Sequence, residues 1–281
     1  MNAVFAWIAA CLSAGADALG RPLLAPLGVL PGWLSATLVA AATGVILLVA
    51  FKYTSNQRSI KRVRDDLDAN LLALKLFKDS TAVTLRSQGR LFVGGFRLML
   101  LALVPMLVMA LPVTLLLGQL ALWYQSRPLR VGEQAVLTLA LGGDAKAPWP
   151  HVRLRPSNAV QVELGPVRVR SKRELCWTLK PRAAGLHRLT FDVDGRPVDK
   201  QLAVGDGLMR VSALRPGWDW EEILLNPAEA PFRPGAAVRS IAVAFPTRSS
   251  WTSGTDSWLI YWFVVSMAAA LVFRRALGVK V

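Results

Sequence analysis

Two hydrophobic rhythms divide this chain. The first is a set of long apolar runs, the signature of helices that cross a hydrocarbon core ~30 Å thick. Residues 31–52 form one such run, and its body from Trp33 to Phe51, with SATLVAAATGVILLVAF at the centre, carries no charge. Residues 92–124 form a second and 257–274 a third. Tyr261 and Trp262 stand near one end of the third run, and Arg274 and Arg275 at the other. Aromatic rings at one boundary and arginines at the other fit a helix that meets two different interfaces. The second run is longer than one perpendicular span requires, since some 33 residues reach roughly 50 Å as a helix. Pro105 and Pro112 interrupt it, and proline kinks or breaks a helix. The expected arrangement is an entering helix up to about Val104, then a kinked span from Pro105 to Trp123.

The second rhythm has period two. VLTLAL, VQVELG, VRVRS, LCWTLKP, HRLTFDVDG and KQLAVG follow one another between residues 136 and 205. Glycine, proline, asparagine and aspartate punctuate them, as expected of short strands joined by turns. Asp194–Gly195 is a strong turn signal of the hairpin kind. Short strands at regular spacing predict a β-sandwich over 125–217. WTLKPRAAGLHRLTF (177–191) resembles the late strand–loop–strand of bacterial immunoglobulin-like domains. Residues 218–256 read as a connector containing one final strand, VRSIAVAFP.

Residues 1–30 are apolar but contain Asp17, Pro22 and Pro26 and lack a basic leading segment. They are expected to form an interfacial helix on the membrane surface, with a fourth span over residues 4–19 as the alternative. In 53–91, Ile60, Val63, Leu67, Leu71 and Leu74 recur at three- and four-residue steps, one face of an amphipathic helix. Ser80 and Thr81 are placed to cap a second helix. This segment is therefore a helical hairpin. Arg58, Lys61, Arg62, Arg64, Lys75 and Lys78 make it basic. It either rests on anionic headgroups or binds a partner.

Net charge is +15, which invites a nucleic-acid reading. Much of that charge flanks the spans, where topology already accounts for it. The hairpin and the 275–281 tail, with Arg274, Arg275 and Lys280, mark the cytoplasmic side. The N-terminus and the β domain then lie outside, and three spans satisfy this parity. No specific nucleic-acid partner is expected. The two cysteines, Cys11 and Cys176, and the two histidines, His151 and His187, are scattered, so no metal or cofactor is expected. Glu133, Glu163, Glu174, Asp192 and Asp194 sit on separate strands or turns and read as solvated. With no nucleophile, acid–base pair or phosphate loop in view, an enzyme is not expected.

The phrase VPMLVMALPV (104–113), following the basic hairpin, resembles the YidC/Oxa insertase superfamily. There a cytoplasmic hairpin precedes a span opening on a similar proline–aliphatic–proline phrase. Three-span members, such as the third subunit of the ER membrane complex, share the order of elements. Unlike YidC itself, this chain has no additional membrane hairpin, and its β domain lies between the second and third spans. The resemblance implies a membrane α plus β fold: a three-helix transmembrane core, a cytoplasmic helical hairpin and an inserted immunoglobulin-like sandwich. It also implies a lipid-open polar groove that receives nascent membrane proteins, without covalent chemistry. Polar residues within spans are costly and therefore informative. The groove candidates are Arg97, Gln119, Thr43, Thr114 and Ser266. The location implied is a bacterial inner membrane, with the bilayer, nascent chains or the ribosome as partners. The alternative is a non-catalytic envelope component whose sandwich binds another envelope protein.

Overall fold

The computed structural model describes residues 2–55, 57–76, 81–143, 147–248 and 257–279. The chain forms two compact units. One is helical, Thr37–Val113 with Trp262–Val281; the other, Met1–Ala36 with Thr114–Tyr261, contains the β domain. Among the described residues, Ala3–Val29, Gly32–Thr54 and Ser87–Tyr124 are each long and apolar enough to cross a membrane. They belong to α1 (Asn2–Leu24) with the short 3-10 helix after it, to α2 (Gly32–Thr54), and to α4 (Thr81–Tyr124). The last apolar helix, α6 (Ser257–Phe273), has 17 residues, near the lower limit for a span. The N-terminal segment, expected on the surface, thus meets the length criterion that α6 only approaches.

In the helical unit α2 and α6 cross at close range. A Cβ on Gly44 would collide with the Ser266 carbonyl oxygen. The Trp262 indole donates to Thr43 Oγ1 at 2.9 Å, and Lys52 donates to the Leu277 carbonyl at 2.7 Å. Between apolar helices there is little hydrophobic drive, so small residues and hydroxyls hold such crossings together. α3 (Gln57–Leu76) brings Leu67 of its apolar stripe against α4. Val63 is buried, and a Cβ on Gly94 would lie 2.7 Å from Leu67 Cδ2. Leu71 of the same stripe is 54% exposed, and the turn expected between α3 and α4 lies outside the described residues. The expected division of the second run is not made: α4 is one continuous helix of 44 residues with Pro105 and Pro112 inside it. Each proline removes one backbone bond, but an apolar surrounding offers the freed carbonyls no competing partner, so helix persists on both sides.

The β domain is two antiparallel sheets. β1 (Ala135–Leu141), β3 (Val160–Val169), β4 (Glu174–Pro181), β7 (Leu214–Arg215) and β8 (Val238–Val243) form one, in the order β3-β4-β1-β8-β7. β2 (Val152–Leu154), β5 (Gly185–Val193) and β6 (Arg196–Val204) form the other, with β5 central. Period-two burial on β1 and β4 sends Leu137, Leu139, Trp177 and Leu179 inward. They meet Leu189, Phe191, Leu202 and Val204 of the second sheet in one core, and the Trp177 and Phe191 rings lie 5.3 Å apart. VQVELG and VRVRS, expected as separate strands, are one bulged strand, β3. Asp194 and Gly195 have φ of 48° and 79° and join β5 to β6 in a two-residue turn, the left-handed geometry asparagine, aspartate and glycine tolerate best. The supposed connector is part of the domain, because β8 pairs with β1 and β7 in the middle of the larger sheet.

One short helix escaped the sequence reading. α5 (Trp220–Leu225) is capped by Asp219, whose carboxylate accepts from the Glu221 N–H at 3.0 Å. It packs on both α1 and α4. Ala6 and Ala9 are buried against Ile223 and Leu224, and a Cβ on Gly118 would lie 2.6 Å from the Leu224 carbonyl oxygen. The chain enters and leaves the β domain at one place. Ser126 bridges to Thr247, the Tyr124 and Trp258 rings stack at 6.4 Å, and the Tyr124 and Ser35 hydroxyls meet at 2.6 Å.

Candidate functional site

The charges of the hairpin converge on a cleft. Arg90 and Arg97 are two turns apart on α4 and so share a face. Asp66 and Asn70, one turn apart, face them from α3. These four, with Val63 and Val93, line an open cleft of about 500 Å³. Asn70 Nδ2 donates to the Asp66 carbonyl at 2.6 Å, which fixes its side chain along α3. Arg97 is exposed. The α4 surface beyond it is apolar and uncovered: Phe96 is 60%, Leu103 44% and Met106 70% exposed. Two guanidiniums and one carboxylate are thus exposed beside a bare apolar stretch of α4. That arrangement can receive an anionic or strongly hydrated group and present an apolar one to lipid.

The other candidate residues are placed differently. Thr43 and Ser266 are buried at the α2–α6 crossing. Thr43 donates to the Ala40 carbonyl at 3.0 Å while accepting from Trp262, and Ser266 donates to the Phe263 carbonyl at 3.0 Å. Both hydroxyls are engaged in joining or capping helix backbone. Thr114 is half-buried and belongs with Gln119 to the other unit. Gln119 is 4% exposed, and its amide nitrogen and oxygen have no partner among the described residues. It lies beneath α1, where a Cβ on Gly20 would come within 2.8 Å of its Oε1. Pro105 is buried and Pro112 exposed. Of the arm, Lys61, Arg62 and Arg64 are exposed on α3. The side chains of Arg58 and Lys75, and Lys78 and Ser80 entirely, lie outside the described residues.

The β domain holds a polar cluster the sequence did not disclose. Lys200 of β6 is fully buried, Ser212 is 5% exposed, and the Glu229 side chain 7%. Lys200 Nζ lies 2.5 Å from Glu229 Oε1, 3.0 Å from Ser212 Oγ and 2.6 Å from the Ser212 carbonyl. Ser212 donates in turn to Glu229 Oε1, and Glu229 Oε2 accepts from the Gln201 N–H at 3.0 Å. Burial pushes the Lys200 ammonium below its ordinary range, and the Glu229 charge opposes that shift. Serine beside lysine invites thoughts of a nucleophile. Here the serine proton is committed to a carboxylate, and the lysine is an ion-pair partner. The cluster ties β6 to the loop before β7 and to the segment after α5.

The acids expected to be solvated are in part paired. Arg127 grips Glu133 with both terminal nitrogens, at 2.7 and 2.8 Å, and the Arg130 N–H adds a third bond at 2.9 Å. The Arg127 guanidinium holds the Glu133 carboxyl down at about 2. Glu163 pairs with Lys180, and Asp192 with Arg155. Asp194 accepts from the His151 N–H at 2.7 Å and so pins β2 to the hairpin turn. α1 has its own anchor. Asp17 pairs with Arg21 one turn on and with Arg210 of the β domain, and Ser13 donates to the Ile223 carbonyl at 3.1 Å. Among the described residues no three of histidine, cysteine, aspartate and glutamate converge as a metal-binding group.

No protein-family model, curated protein or solved structure matches this chain.

Proposed function

We propose that the protein assists the insertion or folding of membrane proteins, as an insertase-like member of the YidC/Oxa superfamily. In this reading the hairpin is cytoplasmic, the N-terminus and the immunoglobulin-like sandwich face outward, and the membrane is a bacterial inner membrane. The observation that carries it is the open cleft holding Arg90, Arg97 and Asp66 at the foot of an uncovered α4. A charged side chain at the centre of a bilayer costs about 2.5–3.5 kcal/mol on insertion scales. A hydrated cleft with guanidiniums shortens the path over which a client's polar segment goes unsolvated. The adjoining apolar helix gives the client's hydrophobic segment a surface to follow into lipid. The prolines within α4 support the resemblance, as does a hairpin that precedes them. α1 suits a surface position, because its contacts with α5 and the segment after it extend from Ala6 to Arg21.

The test is site-specific photocrosslinking from positions 97 and 71 to ribosome-bound nascent membrane proteins. Adducts from both positions are expected, and those from position 71 should weaken when Arg97 and Arg90 are both replaced by glutamine. Capture of folded envelope proteins alone, through the β domain, would overturn the reading in favour of the second one. That second reading, an envelope component whose sandwich binds a partner, has its own support in β3. This edge strand is exposed along nearly its whole length, and Val162, Leu164 and Val167 are among its uncovered residues.

A further inference from the structure

A second cleft lies wholly within the unit that contains the β domain. It separates α1 from the segment 227–234, has a volume of about 900 Å³, and opens to the outside. We infer that it holds one anionic phospholipid, with an acyl chain along α1 and the phosphate at Arg21 and Arg233. The inference does not depend on the insertase reading, since no residue of the Arg97 cleft takes part.

The walls fit a hydrocarbon chain. Ala10, Ala14 and Ala18 follow one another on successive turns of α1, and Ile223 and Pro227 oppose them. The polar side chains among them are already engaged: Ser13 donates to the Ile223 carbonyl, and Asp17 pairs with Arg21 and Arg210. The volume lies in the range of small-molecule sites, enough for a headgroup and part of a chain. α1 is also apolar where nothing covers it: Val4 is 64%, Phe5 56%, Leu19 67% and Leu23 72% exposed. A helix with one apolar side on the protein and another uncovered belongs at a membrane interface. The cleft therefore opens beside lipid, not into bulk water.

The charges select the headgroup. Asp17 is shared between Arg21 and Arg210, and Glu229 is committed to Lys200. Of the charged residues that line the cleft, the acids Asp17 and Glu229 are therefore already answered by buried or partly buried partners, and the cations are Arg21 and Arg233. The surplus is at the rim. Arg233 is exposed and its guanidinium has no partner among the described residues. The Arg21 side chain is half exposed even with its bonds to Asp17 and the Ala228 carbonyl. Guanidinium groups recognise phosphate by paired, charge-assisted hydrogen bonds. A zwitterionic lipid would gain less from this surplus, and inorganic phosphate would leave the apolar walls empty.

The experiment uses the full chain reconstituted in phosphatidylcholine vesicles with a trace of phosphatidylglycerol bearing a photoactivatable acyl chain. Adducts are mapped by mass spectrometry. They are expected on residues 10–18 and 227–234, besides general lipid adducts on α2 and α4. Excess phosphatidylglycerol should displace the former, whereas added phosphatidylcholine or inorganic phosphate should not. Arg233→Ala should raise the phosphatidylglycerol needed for half displacement about tenfold. Ala14→Leu, and separately Ala18→Leu, should remove the cleft adducts and leave those on α2 and α4, which report that the protein is folded and inserted. Three results would each overturn the inference: adducts on the span helices alone, cleft adducts unchanged in both leucine variants, or equal competition by phosphatidylcholine or inorganic phosphate.

Discussion

The Lys200 ammonium and the Glu229 carboxylate meet at 2.5 Å where neither is open to water. Removing one partner of a buried pair strands the other charge, which costs about 3–5 kcal/mol, while replacing both by apolar groups is often neutral. Lys200→Ala and Glu229→Ala should each lower the unfolding free energy of the full chain in detergent by that amount. Lys200→Met with Glu229→Leu should recover most of it. Additive losses in the double variant would show that the pair contributes no coupling.

Glu133 supplies a pH dependence of known sign. Its carboxyl is held near 2 in the folded protein against an ordinary 4.5. A depressed acid contributes stability that is complete above the unfolded value and lost as pH falls through the folded one. The wild-type protein should lose part of its stability between about pH 4.5 and 2, and Glu133→Gln should lack that part. Unfolding curves at pH 6, 4 and 2.5 for the two proteins, compared pairwise, measure it.

Gly44 permits the α2–α6 crossing. Gly44→Leu should drive the helices apart, break the Trp262–Thr43 bond and lower the thermal midpoint of the full chain. Ala42→Leu, on the exposed side of the same helix, should leave it nearly unchanged. Trp262→Phe isolates the hydrogen bond and should cost about 0.5–1.5 kcal/mol. Equal midpoints for the two leucine variants would refute the close crossing.

The Asp194–Gly195 turn offers a test in the β domain. Gly195 has φ of 79°, where a side chain costs roughly 1–2 kcal/mol. Gly195→Val should destabilise the full chain by at least that, because valine is branched at Cβ. Asp194→Ala should release the His151 N–H as well, seen as faster hydrogen exchange at residue 151 with β5–β6 exchange unchanged.

Where periodicity is long, the sequence disclosed the element. The charge-free run centred on SATLVAAATGVILLVAF lies in α2, and Leu67 of the amphipathic stripe lies against Gly94 of α4. The alternating strands were legible for the same reason: a residue facing a core and its neighbour facing water leave a pattern that no turn can imitate. β2 and β7 are too short to hold a period. α5 has only six residues, although its Asp219-Trp-Glu-Glu start is a readable cap. β8 was seen as a strand but not placed, because its pairing with β1, from Leu137 opposite Val243 to Leu141 opposite Val238, joins distant parts of the chain and is a tertiary fact.

The candidate site was legible in a different measure. Arg97 stood out as a charge in an apolar run, but its companions Asp66 and Asn70 come from another helix and carried no signal. Thr43 and Ser266 were visible as polar residues in spans, yet only the Gly44 approach shows what occupies them. The Lys200–Ser212–Glu229 cluster left no trace, since its members are separated along the chain and each alone is unremarked. α4 shows the opposite failure: its prolines promised a break that an apolar environment does not enforce.

Ser126 and Thr247 bring the two ends of the β domain together beside the stacked Tyr124 and Trp258 rings. The domain is nevertheless no detachable head, because α1 and the end of α4 pack on its α5 and Asp17 pairs with Arg210. Any domain spliced in its place would have to bring its own counterparts of α5 and Arg210, or leave the N-terminal helix unseated.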